Sequence, residues 1–393
     1  LRTWWQEFAD EGLQRVLQTA LAHNPSLESA RARVEAAAAQ AGLQGGAWQP
    51  TVGIGVGGSY GRSAPTGTPV ESGRWSVALD VSWELDLWGR VRNAESAALA
   101  EFQASEATLR GALLSLTAQT CRAWFAAVEA RLQLELARET RAAFERTVAI
   151  TQQRFEQGSR SSLDYRLALS QLAGGEALVA QREAQFARAI RVLETLAGTY
   201  PRGELAVAND LPDVPARLQV GAPENLLLRR PDVIAAERRI AASRLRVDAA
   251  RAALLPSLSF GASTGLSAND LANLFKGDAW IWNLVGNLVA PIFQRGRLLA
   301  NVDLNEAQVR DALAGYASAL LGAFLEVESA LAVQRHLEAQ QTALAEAVLQ
   351  ASLSYEIADE RYATGLIDVL ALLDAQRRLL DARSQWLLVR RAR

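Results

Sequence analysis

The 393-residue sequence has no methionine, one cysteine, two histidines and a single lysine, Lys276, among its 41 basic residues. One cysteine forms no internal disulfide. Cys121 sits in the helical run Thr120-Cys121-Arg122-Ala123-Trp124, where a small buried apolar role is expected. His23 and His336 lie in separate helical contexts, so with one Cys and no Met there is no zinc or soft-metal cluster to assemble. There is no unbroken run of about 20 apolar residues, so no transmembrane helix is drawn. No signal peptide is visible, and a chain that opens on Leu1 without any Met reads as one with a processed N-terminus. The net charge of −2 carries no acidic or basic extreme and gives no reason to expect a nucleic-acid partner. No nucleophile elbow or carboxylate pair stands out among the many helix-surface acids. Gly53-Ile54-Gly55-Val56-Gly57-Gly58 fits G-x-G-x-x-G, but the glycines fall inside a strand pattern with no helix opening on them, so no nucleotide site is expected. The sequence does not read as an enzyme, and no catalytic residue, cofactor or metal is expected.

What the sequence does have is a copy of itself. Asn24-Pro25-Ser26-Leu27 and Arg230-Pro231-Asp232-Val233 each open an Ala/Arg-rich helical stretch, 206 residues apart at the prolines. Those stretches end at Pro50 and Pro256, again 206 apart. Trp88-Gly89-Arg90 matches Arg295-Gly296-Arg297 at an offset of 207, as Arg154-Phe155-Glu156-Gln157-Gly158 matches Arg361-Tyr362-Ala363-Thr364-Gly365. We therefore expect repeat 1 over residues 1–200, a Pro-rich connector over 201–222, and repeat 2 over 223–393.

Each half carries two period-two segments. Val52, Ile54, Val56 and Tyr60 alternate with Thr51, Gly53, Gly55, Gly57 and Ser59. Trp75, Val77, Leu79, Val81 and Trp83 alternate with Ser76, Ala78, Asp80, Ser82 and Glu84. Period two places one set on each face of a strand, so strands are expected at about 50–60 and 74–85, with Gly61 to Gly73 as a loop. In the second half the pattern predicts strands at about 256–266 and 280–291, although Val285 and Val289 blur the last one. The intervals 90–157 and 297–364 contain no proline, and each is expected to form one helix of about 100 Å at 1.5 Å per residue. Both carry the 4,3 spacing of a coiled-coil seam: Leu109, Leu113, Leu116, Thr120, Ala123, Ala127, Ala130, Leu134, and Leu313, Ala317, Leu320, Phe324, Val327, Leu331.

Strands of about ten residues, apolar on one face and polar on the other, match the outer-membrane barrel pattern. Tyr60, Trp75, Trp83, Trp280 and Trp282 near the strand ends fit an interfacial aromatic girdle. Backbone groups in lipid must all be paired, so the sheet has to close, and four strands are too few for the smallest common barrels of about eight. A membrane reading therefore requires further copies of the chain, two giving eight strands and three giving twelve. The competing readings are a soluble half-sandwich packed on helices and a structural coiled-coil tether with a small β cap. Both leave unexplained the Gly/Ser/Asn-rich stripe opposite the Trp-edged apolar one.

The doubled architecture resembles the TolC-like outer-membrane efflux proteins, and most closely their lipoprotein branch serving resistance–nodulation–division pumps. The resemblance is carried by Trp4-Trp5-x-x-Phe8, Leu85-Asp86-Leu87-Trp88-Gly89-Arg90, Arg229-Arg230-Pro231-Asp232, Ala290-Pro291-Ile292-Phe293-Gln294-Arg295-Gly296-Arg297, and Arg361-Tyr362-x-x-Gly365 with Leu372-Leu373-Asp374-Ala375-Gln376. It covers essentially the whole chain. It implies a mixed α+β membrane protein, each half a β-hairpin plus long helices, assembled as a homotrimer. The implied trimer has a twelve-stranded β-barrel in outer-membrane lipid, continued by an α-helical barrel into the periplasm. It implies a periplasmic adaptor and an inner-membrane pump as partners, and a passive duct for drugs or other small molecules. That branch begins with an acylated Cys, so a lipid anchor outside these residues is expected. The resemblance also implies a closed periplasmic tip at the turns of Gly158 and Gly365, with Arg361, Tyr362, Leu370, Asp374 and Arg377 in the second hairpin and Asp164 in the first. Arg361 or Arg377 is expected to link to Asp164, with Leu370 and a ring of Asp374 narrowing the opening. Ala371 stands where some members carry a second acid, with Asp368 one turn earlier.

Overall fold

The computed structural model describes residues 4–64, 67, 69–213 and 229–393. Its elements alternate between long helices and one sheet. Helices α1 (Glu11–His23) and α2 (Pro25–Gly46) lead into strands β1 (Thr51–Ser63) and β2 (Val70–Leu85). Helices α3 (Arg90–Glu156) and α4 (Ser162–Leu196) follow. The second half supplies α5 (Pro231–Ala252), β3 (Ser257–Ala268), β4 (Trp280–Val289), α6 (Arg295–Ala363) and α7 (Val369–Ala392). Part of the expected connector, from 214 onward, lies outside the described residues. The compact units do not follow the two halves. One combines 1–30, 111–223 and 322–393, the other 31–110 and 224–321. Each unit draws on both halves because α3 and α6 contribute residues to both.

In the unit containing the sheet, the strand order is β1-β2-β3-β4, all antiparallel. Cross-strand rows keep the two faces apart. Val52, Val81, Ala262 and Leu284 lie in one row and Ile54, Leu79, Thr264 and Trp282 in another. On the opposite face run Gly53, Asp80, Ser263 and Asn283. The expected Gly61–Gly73 loop is shorter than read: Gly61 pairs Ser72 and Ser63 pairs Val70. Small polar residues weaken a strand signal, but an antiparallel neighbour still satisfies their backbone, and the Tyr60 hydroxyl donates to Glu71 at 2.8 Å across this extension. Where β2 meets α3, Asp86 accepts the backbone N–H groups of Val91 and Arg92 at 2.9 Å each, filling orphan donors of the first turn. Arg90 pairs with Glu84 at 2.7 Å, and the Trp88 indole donates to the Pro256 carbonyl at 2.7 Å. Alanines 97, 100, 104 and 107 of α3 are buried, as are Ala242 and Ala250 of α5, which lets helix backbones approach closely.

The other unit has its core where α1, α3 and α4 meet. Leu13, Leu17, Trp124, Val128 and Leu193 are fully buried there, and Phe8 packs edge-on against Phe125 with ring centroids 5.1 Å apart. Asp10 serves two elements: one carboxylate oxygen caps α1 at Leu13 N (3.0 Å) and the other accepts the Trp124 indole (2.8 Å). Gly12 is required beside that ring, since a Cβ there lies 2.6 Å from Trp124. Cys121 is buried as expected, and desolvation pushes its thiol up to about 11. Glu194 is buried at the end of α4 and accepts three backbone N–H groups, from Gly203 (2.7 Å), Glu204 (2.9 Å) and Leu205 (3.2 Å), fixing the chain as it leaves the helix.

Two expectations need correction. The seam on α3 is buried at Leu116, Thr120, Ala127 and Leu134, but the α6 seam is not covered within the chain: Leu313 and Phe324 stay exposed, and neighbouring Leu321 is 71% exposed. Within α6 an 18-residue window reaches a mean hydropathy of 1.4, so among the described residues one helix is long and apolar enough by composition to cross a membrane. Alanine and leucine raise that average without forming an unbroken apolar run. Only 6% of the window is buried.

Replacing Glu194 with Ala leaves three backbone donors without their acceptor. It is expected to lower stability by about 1–3 kcal/mol, read as a drop in the thermal unfolding midpoint of the purified protein. An unchanged midpoint would show that solvent replaces the carboxylate freely.

Candidate functional site: the two glycine hairpins

The helix pairs α3/α4 and α6/α7 are joined by two turns with the same backbone design. In the first, Gly158 has φ +74°, its N–H donates to Phe155 O (2.9 Å), and Ser159 N–H donates to Arg154 O (3.0 Å). In the second, Gly365 has φ +82°, its N–H donates to Tyr362 O (3.0 Å), and Leu366 N–H donates to Arg361 O (2.9 Å). This is the Schellman arrangement, which terminates a helix through a left-handed residue that glycine adopts without strain. Each following helix is then capped by a side chain: Ser161 Oγ accepts Asp164 N, and Asp368 Oδ1 accepts Ala371 N at 2.9 Å. Asp368 is thus committed to its own helix N-terminus.

Buried hydroxyl groups bind the two hairpins together. Tyr362 is fully buried, and its hydroxyl lies 2.6 Å from Thr151 Oγ1. Thr151 in turn donates to Thr147 O, so the tyrosine is the donor of that pair. The Gln376 amide donates to Thr147 Oγ1 at 3.2 Å. The Arg154 guanidinium stacks over the Tyr362 ring at 4.7 Å and donates to Ala363 O at 2.8 Å. Arg160 reaches across to Ile367 O at 3.1 Å. Around this polar seam Phe144, Tyr362, Val369, Leu372 and Leu373 form an apolar cluster, and Gly175 leaves space for the Phe144 ring.

The charged residues expected at the tip are arranged differently from the expected link. Arg377 pairs with Asp374 at 3.1 Å and Arg378 pairs with it at 2.7 Å, both along α7. The hydrogen bond from Arg378 comes first among the causes that hold the Asp374 carboxyl below its ordinary range, followed by the charge of Arg378 and by Arg377. Arg361 is exposed, and among the described residues neither it nor Arg377 makes an ion pair with Asp164. Within one chain Asp374, Arg377 and Arg378 therefore form local helix contacts, because residues three and four apart on a helix meet more readily than residues on separate hairpins. Leu370 is exposed one helical turn before Asp374, and Leu366 is exposed in the turn.

Sequence reasoning missed Thr147, Thr151 and Arg160, and gave Arg154 and Gln376 only within landmark motifs. One signal was available: Thr147 and Thr151 are an i, i+4 pair of β-branched polar residues, and the repeat sets Arg154-Phe155 opposite Arg361-Tyr362.

At the sheet, the expected aromatics occupy both ends. Trp75 and Trp83 are eight residues apart on β2, about 26 Å along an extended strand. Trp83 donates to Trp48 O at 2.8 Å, and Trp280 donates to Thr264 Oγ1 at 3.1 Å. Tyr60 and Trp282 are exposed on the apolar face, and Trp75 lies against Gly58. Trp48 and Trp88 join Trp83 at the helix end of the sheet, two aromatics the alternation pattern did not pick out because they sit outside the strands.

A model of the family described as "Outer membrane efflux protein" matches residues 16–199 and 222–393. The probable efflux pump outer membrane protein SepC of Pseudomonas putida is 33% identical over 388 residues, which is 98% of this chain and 81% of that protein. Among solved structures, the outer-membrane channel OprN superimposes with a TM-score of 0.94 at 30% identity, over 100% of this chain and 89% of that one. The CmeC outer membrane channel of Campylobacter jejuni superimposes with a TM-score of 0.96 at 26% identity, over 100% and 85% of the two chains. The place of the present chain is the outer membrane of a Gram-negative cell, reaching into the periplasm, and its general role is that of an efflux channel. This chain belongs to the outer membrane efflux protein family.

Proposed function

We propose that three copies of this chain close a twelve-stranded barrel in the outer membrane and a helical duct beneath it, and that the duct passes drugs or other small molecules outward without chemistry of its own. The observation that carries this reading is the four-stranded sheet, apolar on one face and Gly/Ser/Asn-rich on the other, with β1 and β4 both left as open edges. In lipid such edges have no water to bond and must pair with another copy. The exposed seam on α6 supports the same reading, since Leu313, Leu321 and Phe324 need helices from neighbouring copies to cover them. An inner-membrane pump and a periplasmic adaptor supply cargo and energy, and the pump chooses what is carried.

The duct is closed at the Gly158 and Gly365 hairpins. Within a copy the Tyr362–Thr151 bond and Arg160 hold the two hairpins together. Between copies, Arg361 is free to reach Asp164 of a neighbour, where the guanidinium fork bonds a carboxylate directionally. One exposed pair of this kind contributes under about 1 kcal/mol, so the latch depends on being repeated around the axis. Exposed Leu370 narrows the opening, and Asp374 from each copy adds a carboxylate to a ring there, each one held by Arg377 and Arg378 of its own helix and offsetting part of their positive charge.

The reading is tested first by the detergent-solubilised particle, which is expected to have three times the mass of the chain and to conduct ions across a planar bilayer. A monomer soluble without detergent contradicts it and favours the tether. With Asp164→Ala and Arg361→Ala combined, single-channel conductance is expected to rise severalfold; the same conductance as the parent protein removes the latch. Asp374→Asn is expected to reduce cation selectivity. In the parent protein that selectivity should stay level from pH 7 to pH 5. The folded pKa of Asp374 is depressed below 3.8, so its pairing with Arg378 and Arg377 is present above that value and lost only as the pH falls through the folded pKa. A decline in selectivity already at pH 6 assigns it to another group.

A further inference from the structure

The apolar face of the sheet has an upper limit. Trp83 and Trp75 lie near its two ends, about 26 Å apart along the strand. That span matches the apolar band of an outer-membrane barrel, about 25 Å tall between its aromatic girdles. At the end away from the helices, Tyr60 and Trp280 fall within two residues of Trp75 along the ladders. Side chains beyond Tyr60 therefore stand at the level of lipid headgroups. Arg62 is one of them. Alternation puts it on the face of Tyr60, opposite Glu71 in the ladder. The Glu71 carboxylate accepts the Tyr60 hydroxyl at 2.8 Å, and the Arg62 guanidinium has no partner among the described residues.

The loop from β3 to β4 adds a second cation at this level. Gly73 faces the apolar side with Tyr60 and Trp75, and a Cβ on it meets the Asn269 carbonyl oxygen at 2.7 Å, nearer than the Tyr60 ring at 3.2 Å. The chain that follows Ala268 thus bends over the apolar face and not over the polar one. Along this loop Leu274 is buried, but Leu271 is 56% and Phe275 80% exposed. Lys276, the one lysine of the chain, follows Phe275, is exposed, and its ammonium has no partner among the described residues. An aromatic ring beside a long cationic side chain is the pairing that anchors proteins at a membrane interface, with the ring in the acyl region and the charge among the headgroups.

We propose that Arg62 and Lys276, with Leu271 and Phe275, hold the phosphorylated sugar headgroup of an outer-leaflet glycolipid. This rests on the reading of the apolar face as the lipid-facing one. The outer leaflet of a Gram-negative outer membrane is made of a glycolipid with phosphate esters on its disaccharide headgroup and several acyl chains below. Arg62 offers a planar fork of donors to phosphate oxygens, and Lys276 a mobile point charge. Leu271 and Phe275 pack against the upper part of the acyl chains. A free phosphate would leave those two side chains without a partner, and a headgroup without net charge would leave the two cations unpaired. Asp270 and Asp278 lie in the same loop and make no ion pair with Lys276. Recognition therefore depends on where the cations stand and not on net charge.

Lipid binding to the detergent-purified particle tests this by native mass spectrometry. The probes are bis-phosphorylated lipid A, the same lipid with both phosphates removed, and phosphatidylglycerol. The bis-phosphorylated form is expected to bind most tightly. Arg62→Ala and Lys276→Ala are each expected to weaken it about fivefold, the loss of one cation at an anionic surface. Phe275→Ser is expected to weaken the phosphorylated and dephosphorylated forms alike. Arg74→Ala is the control, since Arg74 stands near the same level but on the polar face opposite Ser59, and binding is expected to stay as in the parent. Equal binding of the phosphorylated and dephosphorylated forms overturns the proposal, as does binding that ignores both Arg62→Ala and Lys276→Ala. Phosphatidylglycerol bound as tightly as lipid A overturns the glycolipid as the occupant. Mass and bilayer conductance are measured on the same samples. A conducting multimer that fails to discriminate the lipids overturns this site alone, whereas a monomer that does not conduct overturns the lipid-facing reading together with it.

Discussion

A peptide N–H or C=O in hydrocarbon has nothing to bond except another peptide, and this sheet ends on two strands that each leave one side open. Much else in the molecule answers to that fact. An edge in water is blunted with charge or covered by a loop. Here β4 carries Trp280, Trp282, Leu284 and Leu288 on one face, none of them buried, which suits an edge that is to be paired rather than protected. The same incompleteness continues into the helices, where α6 is apolar and open along its seam while α3 is packed. The open strand edges and the open helix seam are the two surfaces on which the proposed assembly rests.

The two hairpins divide their work between kinds of contact. Inside a copy they are joined by buried neutral groups, Tyr362, Thr151, Thr147 and Gln376, with Arg154 over the tyrosine ring. On the outside lie the ionised ones: Asp374 between Arg377 and Arg378, Asp164 and Arg361 exposed or half-exposed. Exposed pairs exchange partners at little cost because water and other charges compete for them. Buried hydroxyl pairs have no such alternative and hold their geometry. The proposed closure draws on both, a stiff joint and a contact that releases.

Local periodicity made most of the fold readable. Alternation at Val52–Val56 and Trp75–Trp83, and the absence of proline across 90–157 and 297–364, place the strands and long helices to within a few residues. The hairpin between Tyr60 and Gly73 was read as loop because Gly, Ser and Arg give no apolar stripe, although the ladder runs on through them. At the tip the turn glycines were legible from the repeat. The residues that grip each other were not, because Thr151 and Tyr362 are 211 positions apart and neither one is unusual in its own helix. Asp368 was read for its charge, whereas its position one residue before a helix makes it a cap. Charge is visible in a sequence, but the partner that decides its use is set by tertiary placement.

The Tyr362–Thr151 bond carries no net charge at either end. Dissolved salt shortens the reach of Asp374 and the arginines around it from about 30 Å at 0.01 M to about 3 Å at 1 M, but it finds nothing to screen between two hydroxyls. If these hairpins are the proposed mouth of the duct, a cell carried from fresh water into brine retunes its charged contacts while the neutral joint between the hairpins keeps its stiffness.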